Sequence, residues 1–119
     1  MPNIKRYFCT TKFKSVGTTE EFADFNRVDP GEVWVITRVG VYNSHSLQTL
    51  TIALGILDRG AFRRLDYKSA LGAGAIQPFN DPFYITEGNQ FRAGLTGSGA
   101  STTCEVTING YVLDSSKEE

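Results

Sequence analysis

The most informative run of the chain is Asp29-Pro30-Gly31-Glu32-Val33-Trp34-Val35-Ile36-Thr37-Arg38-Val39-Gly40-Val41-Tyr42. Pro30 and Gly31 favour a turn at its start, because proline fixes φ and glycine tolerates φ > 0. The residues that follow are mostly β-branched or aromatic, which is typical of a packed strand. Since side chains alternate between two faces along a strand, the run predicts a long central strand. Its predicted core face carries Val33, Val35, Val39 and Val41.

Length and composition predict a single domain with a modest core. The chain has 119 residues, of which 40% are hydrophobic and 12% aromatic. A net charge of −1 favours neither nucleic acid nor an anionic membrane as a partner. No apolar run approaches the ~20 residues of a membrane span, and the polar start does not resemble a signal peptide. We therefore expect a soluble protein made in a cytoplasm.

The N-terminal part of the chain is predicted to be an extended arm, and within it residues 5–14 are strand-like, because they carry threonines and aromatic residues without a helical period. Residues 1–28 are interpreted as this arm with an edge-covering segment, 29–114 as the sandwich domain and 115–119 as a polar acidic tail. Within the arm, residues 15–28 fit either a short helix capped near Thr18 or an extended strand over a sheet edge, and we favour the strand. The basic residues of the arm would be solvated or would lie on an acidic neighbouring surface. They are Lys5, Arg6, Lys12 and Lys14.

Further strands follow at regular intervals. Residues 47–58 alternate, with Leu50, Ile52, Leu54 and Ile56 on one face, and the short polar connection 43–46 predicts that this strand forms a hairpin with the preceding one. Residues 61–68 interleave charges with apolar residues, which is typical of a sheet edge. Residues 69–78 are small and glycine-rich, so we expect a loose surface loop or a contact loop.

The last third of the chain is again strand and turn. Apolar residues alternate in the run that contains Phe91, Ala93 and Leu95, and in the final run that contains Cys104, Val106, Ile108 and Val112. Gly110 is interpreted as a bulge in a continuing strand. Seven to eight strands and no long amphipathic helix predict an all-β fold, an antiparallel, jelly-roll-like β-sandwich.

Residues that could carry chemistry are few. His45 is the only histidine, whereas metal sites need several converging ligands. The glycines of residues 94–99 precede a strand, whereas phosphate-binding loops precede a helix. Cys9 and Cys104 lie in strand-like runs, which predicts buried free thiols, with one bridge between the first and last strands as the alternative. We predict no catalytic residue, no cofactor and no metal.

Two surface features leave alternatives open. A sugar-stacking platform is one interpretation of the aromatic residues, although such residues more often anchor a core or an interface. The candidates are Trp34, Tyr42, Tyr67, Phe79, Phe83 and Tyr84, of which Trp34 or Tyr84 would stack on the sugar rings if exposed. Arg63 and Arg64 lie in a charged hairpin that is explained either by exposed ion pairs or by a subunit contact, since arginine is enriched in interfaces.

Three segments resemble small jelly-roll-like virion proteins of tailed bacteriophages. They are Asp29-Pro30-Gly31-Glu32-Val33-Trp34-Val35-Ile36, Pro82-Phe83-Tyr84-Ile85-Thr86-Glu87-Gly88-Asn89-Gln90-Phe91-Arg92-Ala93-Gly94 and Cys104-Glu105-Val106-Thr107-Ile108-Asn109-Gly110-Tyr111-Val112-Leu113. The similarity spans residues 29 to 113, and residues 1 to 28 match no family pattern.

The resemblance implies a non-enzymatic structural protein located in a phage virion. The leading hypothesis is a capsid decoration protein that binds the major capsid protein and assembles as a homotrimer or higher ring. The alternatives are a neck, tail or fibre component that binds other virion proteins, or a carbohydrate- or receptor-binding module. We expect no nucleic-acid or membrane partner. The residues predicted to contact a partner are Lys5, Arg6, Lys12, Lys14, Arg63, Arg64, Leu71 and Ile76.

Overall fold

The computed structural model describes residues 3–44, 48–99 and 102–114, and over these residues the chain forms strands and turns without a helix. The strands are β1 (Asn3–Val16), β2 (Glu21–Asp24), β3 (Glu32–Asn43), β4 (Leu50–Asp58), β5 (Ala61–Leu71), β6 (Ile76–Phe79), β7 (Phe83–Thr86), β8 (Gln90–Gly97) and β9 (Thr102–Asp114). Two packed antiparallel sheets confirm the predicted β-sandwich. The described residues contain one strand more than predicted, because residues 76–86 form two short strands.

Sheet A has the order β1-β9-β3-β6, with β7 also paired to β3, and sheet B has the order β2-β8-β4-β5. β6 and β7 pair with successive parts of β3, at Val39–Tyr42 and Val33–Ile36 respectively. β1 forms an edge of sheet A and pairs with β9 from the opposite end of the chain. The first and last described strands are therefore neighbours in one sheet.

The predicted hairpin between β3 and β4 is wrong. β3 pairs with β9, β6 and β7 in sheet A, whereas β4 pairs with β5 and β8 in sheet B. The connection therefore crosses from one sheet to the other. Asn43, which is buried, stabilises this crossing because its side-chain Nδ2 donates to the backbone oxygens of Gln48 at 2.7 Å and Leu71 at 3.2 Å. His45 and the rest of residues 45–47 lie outside the described residues.

A β-bulge changes which side chains of β3 face the core. The register with β9 shifts between Ile36 and Arg38, so Thr37 is an extra residue on β3. Since one extra residue reverses the alternation, Ile36 joins the core before the bulge and Val39 and Val41 join it afterwards. The prediction that Val33 and Val35 share the face of Val39 and Val41 is wrong.

The prediction of a bulge at Gly110 is wrong in its position. The bulge lies at Thr37 of β3, next to Ile36, which pairs with Gly110 of β9. β9 runs on to Asp114, as expected for a continuing strand. A Cβ atom at Gly110 would lie 2.0 Å from the Val35 backbone oxygen. The glycine therefore allows the close approach of the two backbones beside the bulge.

The predicted core faces of β4, β8 and β9 are confirmed. The buried residues on these faces are Leu50, Ile52, Leu54, Phe91, Ala93, Leu95, Cys104, Val106, Ile108 and Val112, while Ile56 is partly buried against them. Residues 21–24 form a strand at the edge of sheet B, which confirms the extended alternative over the helix. Phe25 and Val28 follow it into the core, and their backbone N–H groups donate to the oxygens of Phe91 and Asn89.

Residues 69–78 are more ordered than the predicted loose loop. β5 extends to Leu71 and β6 begins at Ile76, so only residues 72–75 form a turn. The backbone of Asn43 exchanges hydrogen bonds with this turn, since its N–H donates to Ala75 and its oxygen accepts from Gly74. Leu71, predicted to contact a partner, is buried and contributes to the core instead.

Candidate functional site

The outer face of sheet A carries two rows of large side chains that run across the strands. The cross-strand register places them side by side. The first row is Tyr7, Tyr111, Val35 and Tyr84, and the second is Phe13, Glu105, Tyr42 and Ile76. Tyr7, Phe13, Ile76 and Tyr84 are all at least 60% exposed. Most of the exposed large apolar side chains of the described chain therefore lie on this face.

Small and polar residues lie between the two rows and leave a cleft of about 290 Å³. Its lining residues are Arg38, Gly40, Tyr42, Ile76, Glu105, Thr107 and Asn109. Gly40 opens the floor, because a Cβ atom at this position would meet no atom within 4 Å. The bulge at Thr37 also matters, since it turns Arg38, Gly40 and Tyr42 toward this outer face.

Among the polar side chains of the cleft, Thr107 forms a hydrogen bond with Thr11 at 2.8 Å, whereas three others have polar groups without a partner among the described residues. Within the described part of the chain, no hydrogen bond or ion pair engages the side chains of Arg38 and Glu105. The Oδ1 atom of Asn109 is buried and has no hydrogen-bond partner there. Buried polar atoms are nearly always hydrogen-bonded in folded proteins, so this acceptor is one of three exceptions among the described side chains, together with Glu32 Oε1 and Trp34 Nε1.

The outer face of sheet B is occupied by its own side chains. Arg92 donates to both carboxylate oxygens of Asp24, at 2.7 and 2.9 Å, and its guanidinium lies 4.1 Å from the ring centroid of Phe22. The hydrogen bond to Asp24 raises the pKa of Arg92. Arg64 donates to Glu20 at 2.8 Å and covers Phe62 at 4.4 Å. Arg64, predicted to contact a partner, is thus engaged within the chain.

The predicted basic arm also makes contacts within the chain. Lys5 Nζ and Arg6 Nη1 lie 2.8 and 3.2 Å from Glu32 Oε2, and Glu32 is only 4% exposed. The hydrogen bond from Lys5, followed by that from Arg6, lowers the pKa of Glu32 against the effect of burial. The same contact raises the pKa of Lys5. Lys12 lies 6.0 Å from the ring centroid of Phe25, and Lys14 is half-buried.

The edge strand β5 exposes two further apolar side chains. Leu65 is 59% exposed and Tyr67 is 63% exposed. Arg63, predicted to contact a partner, lies in the same strand and pairs with Asp58 at 3.2 Å in an exposed ion pair. Ile76, the other apolar residue predicted at a contact, is exposed on the outer face of sheet A.

The two cysteines lie on opposite faces of sheet A as free thiols. Cys104 is buried, and burial raises its pKa to about 11. Cys9 is exposed because β1 turns it to the outer face at a sheet edge. The prediction of buried thiols therefore holds for Cys104 and is wrong for Cys9.

The predicted sugar-stacking residues separate in the structure. Trp34 faces inward and packs against Phe8 with ring centroids 5.1 Å apart. It is not an exposed platform, whereas Tyr84 is exposed on the outer face. The sequence reasoning missed the cleft residues Arg38, Glu105 and Asn109, because they meet only through the pairing of β3 with β9. The available signal in the sequence was that all three are polar residues within strands whose side chains alternate between two faces.

No family model matches the sequence, and no curated protein does so. The described residues contain no group of three histidine, cysteine or acidic side chains placed to hold a metal ion. A helix long and apolar enough to cross a membrane is likewise not found in the described part of the chain.

Proposed function

We propose that the protein is a non-enzymatic structural protein of a phage virion, a capsid decoration protein that binds and stabilises the assembled shell. The sequence resemblance over residues 29 to 113 supports the viral assignment. The strand order supports the jelly-roll form of the sandwich, since most successive strands lie in different sheets, as they do when Greek keys wrap around a core, and among the described strands only the β4–β5 hairpin stays within one sheet. In this interpretation β6 and β7 are one interrupted strand.

The observation that carries the proposal is the exposed edge formed by β5. Leu65 and Tyr67 expose more than half of their surfaces there, beside Arg63 and Lys68. Exposed single apolar residues are ordinary, but tyrosine and arginine are enriched in protein interfaces, and here they lie on one strand with an exposed leucine. This edge is the contact surface that we assign to the capsid.

The geometry of β5 favours docking by side chains over the addition of a further strand. Its register with β4 shifts between Leu54 and Gly55, so Leu65 is an extra, bulged residue. A bulge interrupts the row of backbone groups that an incoming strand would need. Leu65 and Tyr67 would therefore insert into an apolar depression on a capsid subunit, with Arg63 at the polar rim.

Decoration works through mass action. A protein that binds the assembled shell and not its dissociated subunits stabilises the shell by an amount that grows with concentration. A homotrimer or ring would hold several subunits at once, and its linked sites would raise the overall avidity. The native mass of the purified protein separates the alternatives, because a trimer favours decoration and a larger ring favours the neck or tail.

The proposal is tested by co-sedimentation with empty, expanded capsids of the phage whose genome encodes the chain. We expect the wild type to sediment with capsids and the double variant Leu65→Asp/Tyr67→Ala to remain in the supernatant. Tyr84→Ala is the matched control, because Tyr84 is 60% exposed but lies on sheet A. Equal sedimentation of the wild type and the double variant, or no sedimentation of the wild type, would contradict the proposal.

A further inference from the structure

The cleft on the outer face of sheet A combines polar groups of different character. Arg38 offers only donors, Glu105 offers only acceptors, and Asn109 lines the cleft with a side-chain amide, which carries both a donor and an acceptor group. A ligand that satisfies all three must both donate and accept hydrogen bonds within a small volume. Hydroxyl groups do both.

The charges of the cleft exclude strongly charged ligands. Glu105 would repel an anion and Arg38 would repel a cation, since both side chains line the same small space. An extended peptide is also disfavoured, because the floor is formed by β3 and β9, whose backbone groups are already paired on both sides. Peptides that add to a sheet require a free edge.

The remaining wall of the cleft is apolar. The ring of Tyr42 and the side chain of Ile76 lie beside one another in the cross-strand register. Sugar rings present C–H groups on one face and hydroxyl groups around the rim, and an amphipathic tyrosine suits both. A volume of about 290 Å³ is near the lower end for ligand pockets and accommodates a single sugar residue.

We propose that this cleft binds one residue of a neutral saccharide. Tyr42 and Ile76 cover the apolar face of the sugar, while Arg38, Glu105 and Asn109 bind its hydroxyl groups. Small side chains continue the floor toward the edge at β1, through Thr107 and Thr11. A linear glycan can therefore extend beyond the cleft. The site lies on sheet A, away from the β5 edge, and does not depend on docking to a capsid.

The test is a ¹H–¹⁵N NMR titration of the full chain with glucose, galactose, mannose and N-acetylglucosamine as separate probes, each to about 50 mM. We expect at least one sugar to cause saturable shifts at the amides of Gly40, Thr107 and Asn109. Gly40→Ile should weaken this binding at least about tenfold by filling the floor. The substitution is compatible with folding, since a Cβ atom at position 40 has open space.

A second variant removes a proposed hydroxyl-binding side chain and leaves the cleft floor unchanged. Arg38→Ala should also weaken binding at least about tenfold, whereas Arg27→Ala should not, because Arg27 is exposed and does not line the cleft. The proposal is overturned if none of the four sugars gives saturable shifts. It is also overturned if both cleft variants bind like the wild type, or if the cleft amides shift with protein concentration alone, which would assign the face to self-association.

Discussion

Gly110 controls how closely β9 approaches β3. A side chain there would meet the backbone of Val35 and Ile36, with the Val35 oxygen 2.0 Å and the Ile36 Cα 3.0 Å from the new Cβ atom. Backbone atoms cannot move aside as the end of a flexible side chain can. The bulge at Thr37 lies directly beside this contact, so the same glycine determines where the alternation of β3 reverses.

We predict that Gly110→Ala lowers the free energy of unfolding by about 3 kcal/mol, because the added methyl group forces two central strands apart. Urea unfolding monitored by circular dichroism measures the change. Gly40→Ala is the matched control in β3. Its Cβ atom has no neighbour within 4 Å, so its stability should stay within about 1 kcal/mol of the wild type. If the two variants were equally stable, the close approach of the two backbones at Gly110 would not determine the stability of the fold.

At the scale of the elements, Glu32 connects β3 with β1 across the intervening strand β9. Its carboxylate accepts hydrogen bonds from Lys5 and Arg6, while its other oxygen, Oε1, is buried without a partner in the described chain. The hydrogen bond from Lys5 holds the pKa of Glu32 below its ordinary value of 4.5. The unfolded chain therefore binds the Glu32 proton more tightly than the folded chain does. As a result, the ionised Glu32 carboxylate stabilises the fold above pH 4.5, and this stabilisation is lost as the pH falls through the lowered pKa.

We predict that Glu32→Gln lowers the free energy of unfolding at pH 7 by about 1–2 kcal/mol, a modest value because Lys5 and Arg6 are half-exposed. The difference in the free energy of unfolding between the variant and the wild type should shrink as the pH falls from 4.5, the ordinary glutamate pKa, past the lower pKa that Glu32 has in the fold. Urea unfolding across this range measures it. Glu21→Gln is the control and should leave the free energy of unfolding at pH 7 within about 0.5 kcal/mol of the wild type, because Glu21 makes no contact of this kind with the described residues. A difference that persists undiminished in acid would contradict the assigned role of Glu32.

At the scale of the whole molecule, the sandwich is closed by strands from opposite ends of the chain. β1 pairs with β9 from Asn3 to Val16 and also contacts β2 of the other sheet. Val16 is fully buried, and Phe8 packs against Trp34. The strand predicted over residues 5–14 is therefore confirmed by β1, and the segment predicted as an arm is a structural part of sheet A over residues 3–16.

We predict that deleting residues 3–16 abolishes cooperative thermal unfolding, because it exposes the backbone edge of β9 and removes Val16 from the core. Circular dichroism and the near-ultraviolet signal of Trp34 measure the loss. Tyr7→Ala is the control, since Tyr7 is in the same strand but 74% exposed. It should retain a cooperative transition near that of the wild type. A truncated chain that still unfolds cooperatively would show that β1 is dispensable for the sandwich.

Local alternation was sufficient to predict the strand content and most of the core. The inward faces of β4, β8 and β9 are read directly from positions such as Ile52, Leu95 and Ile108, because the period of a strand is a property of neighbouring residues. The turns around Gly31 and Gly88 follow from local chemistry as well, since both glycines have positive φ. These features need no knowledge of which strands pair.

The pairing of strands was decided only by the tertiary structure. The bulge at Thr37, the crossing between β3 and β4, and the ordered turn after Leu71 all arise from contacts between residues distant in sequence. The cleft has the same origin, because Arg38 and Asn109 become neighbours only when β9 lies beside β3. The sequence alone determined a β-sandwich with a predictable core, whereas long-range packing determined its surface sites, since a strand's partners depend on the whole chain burying its apolar faces together.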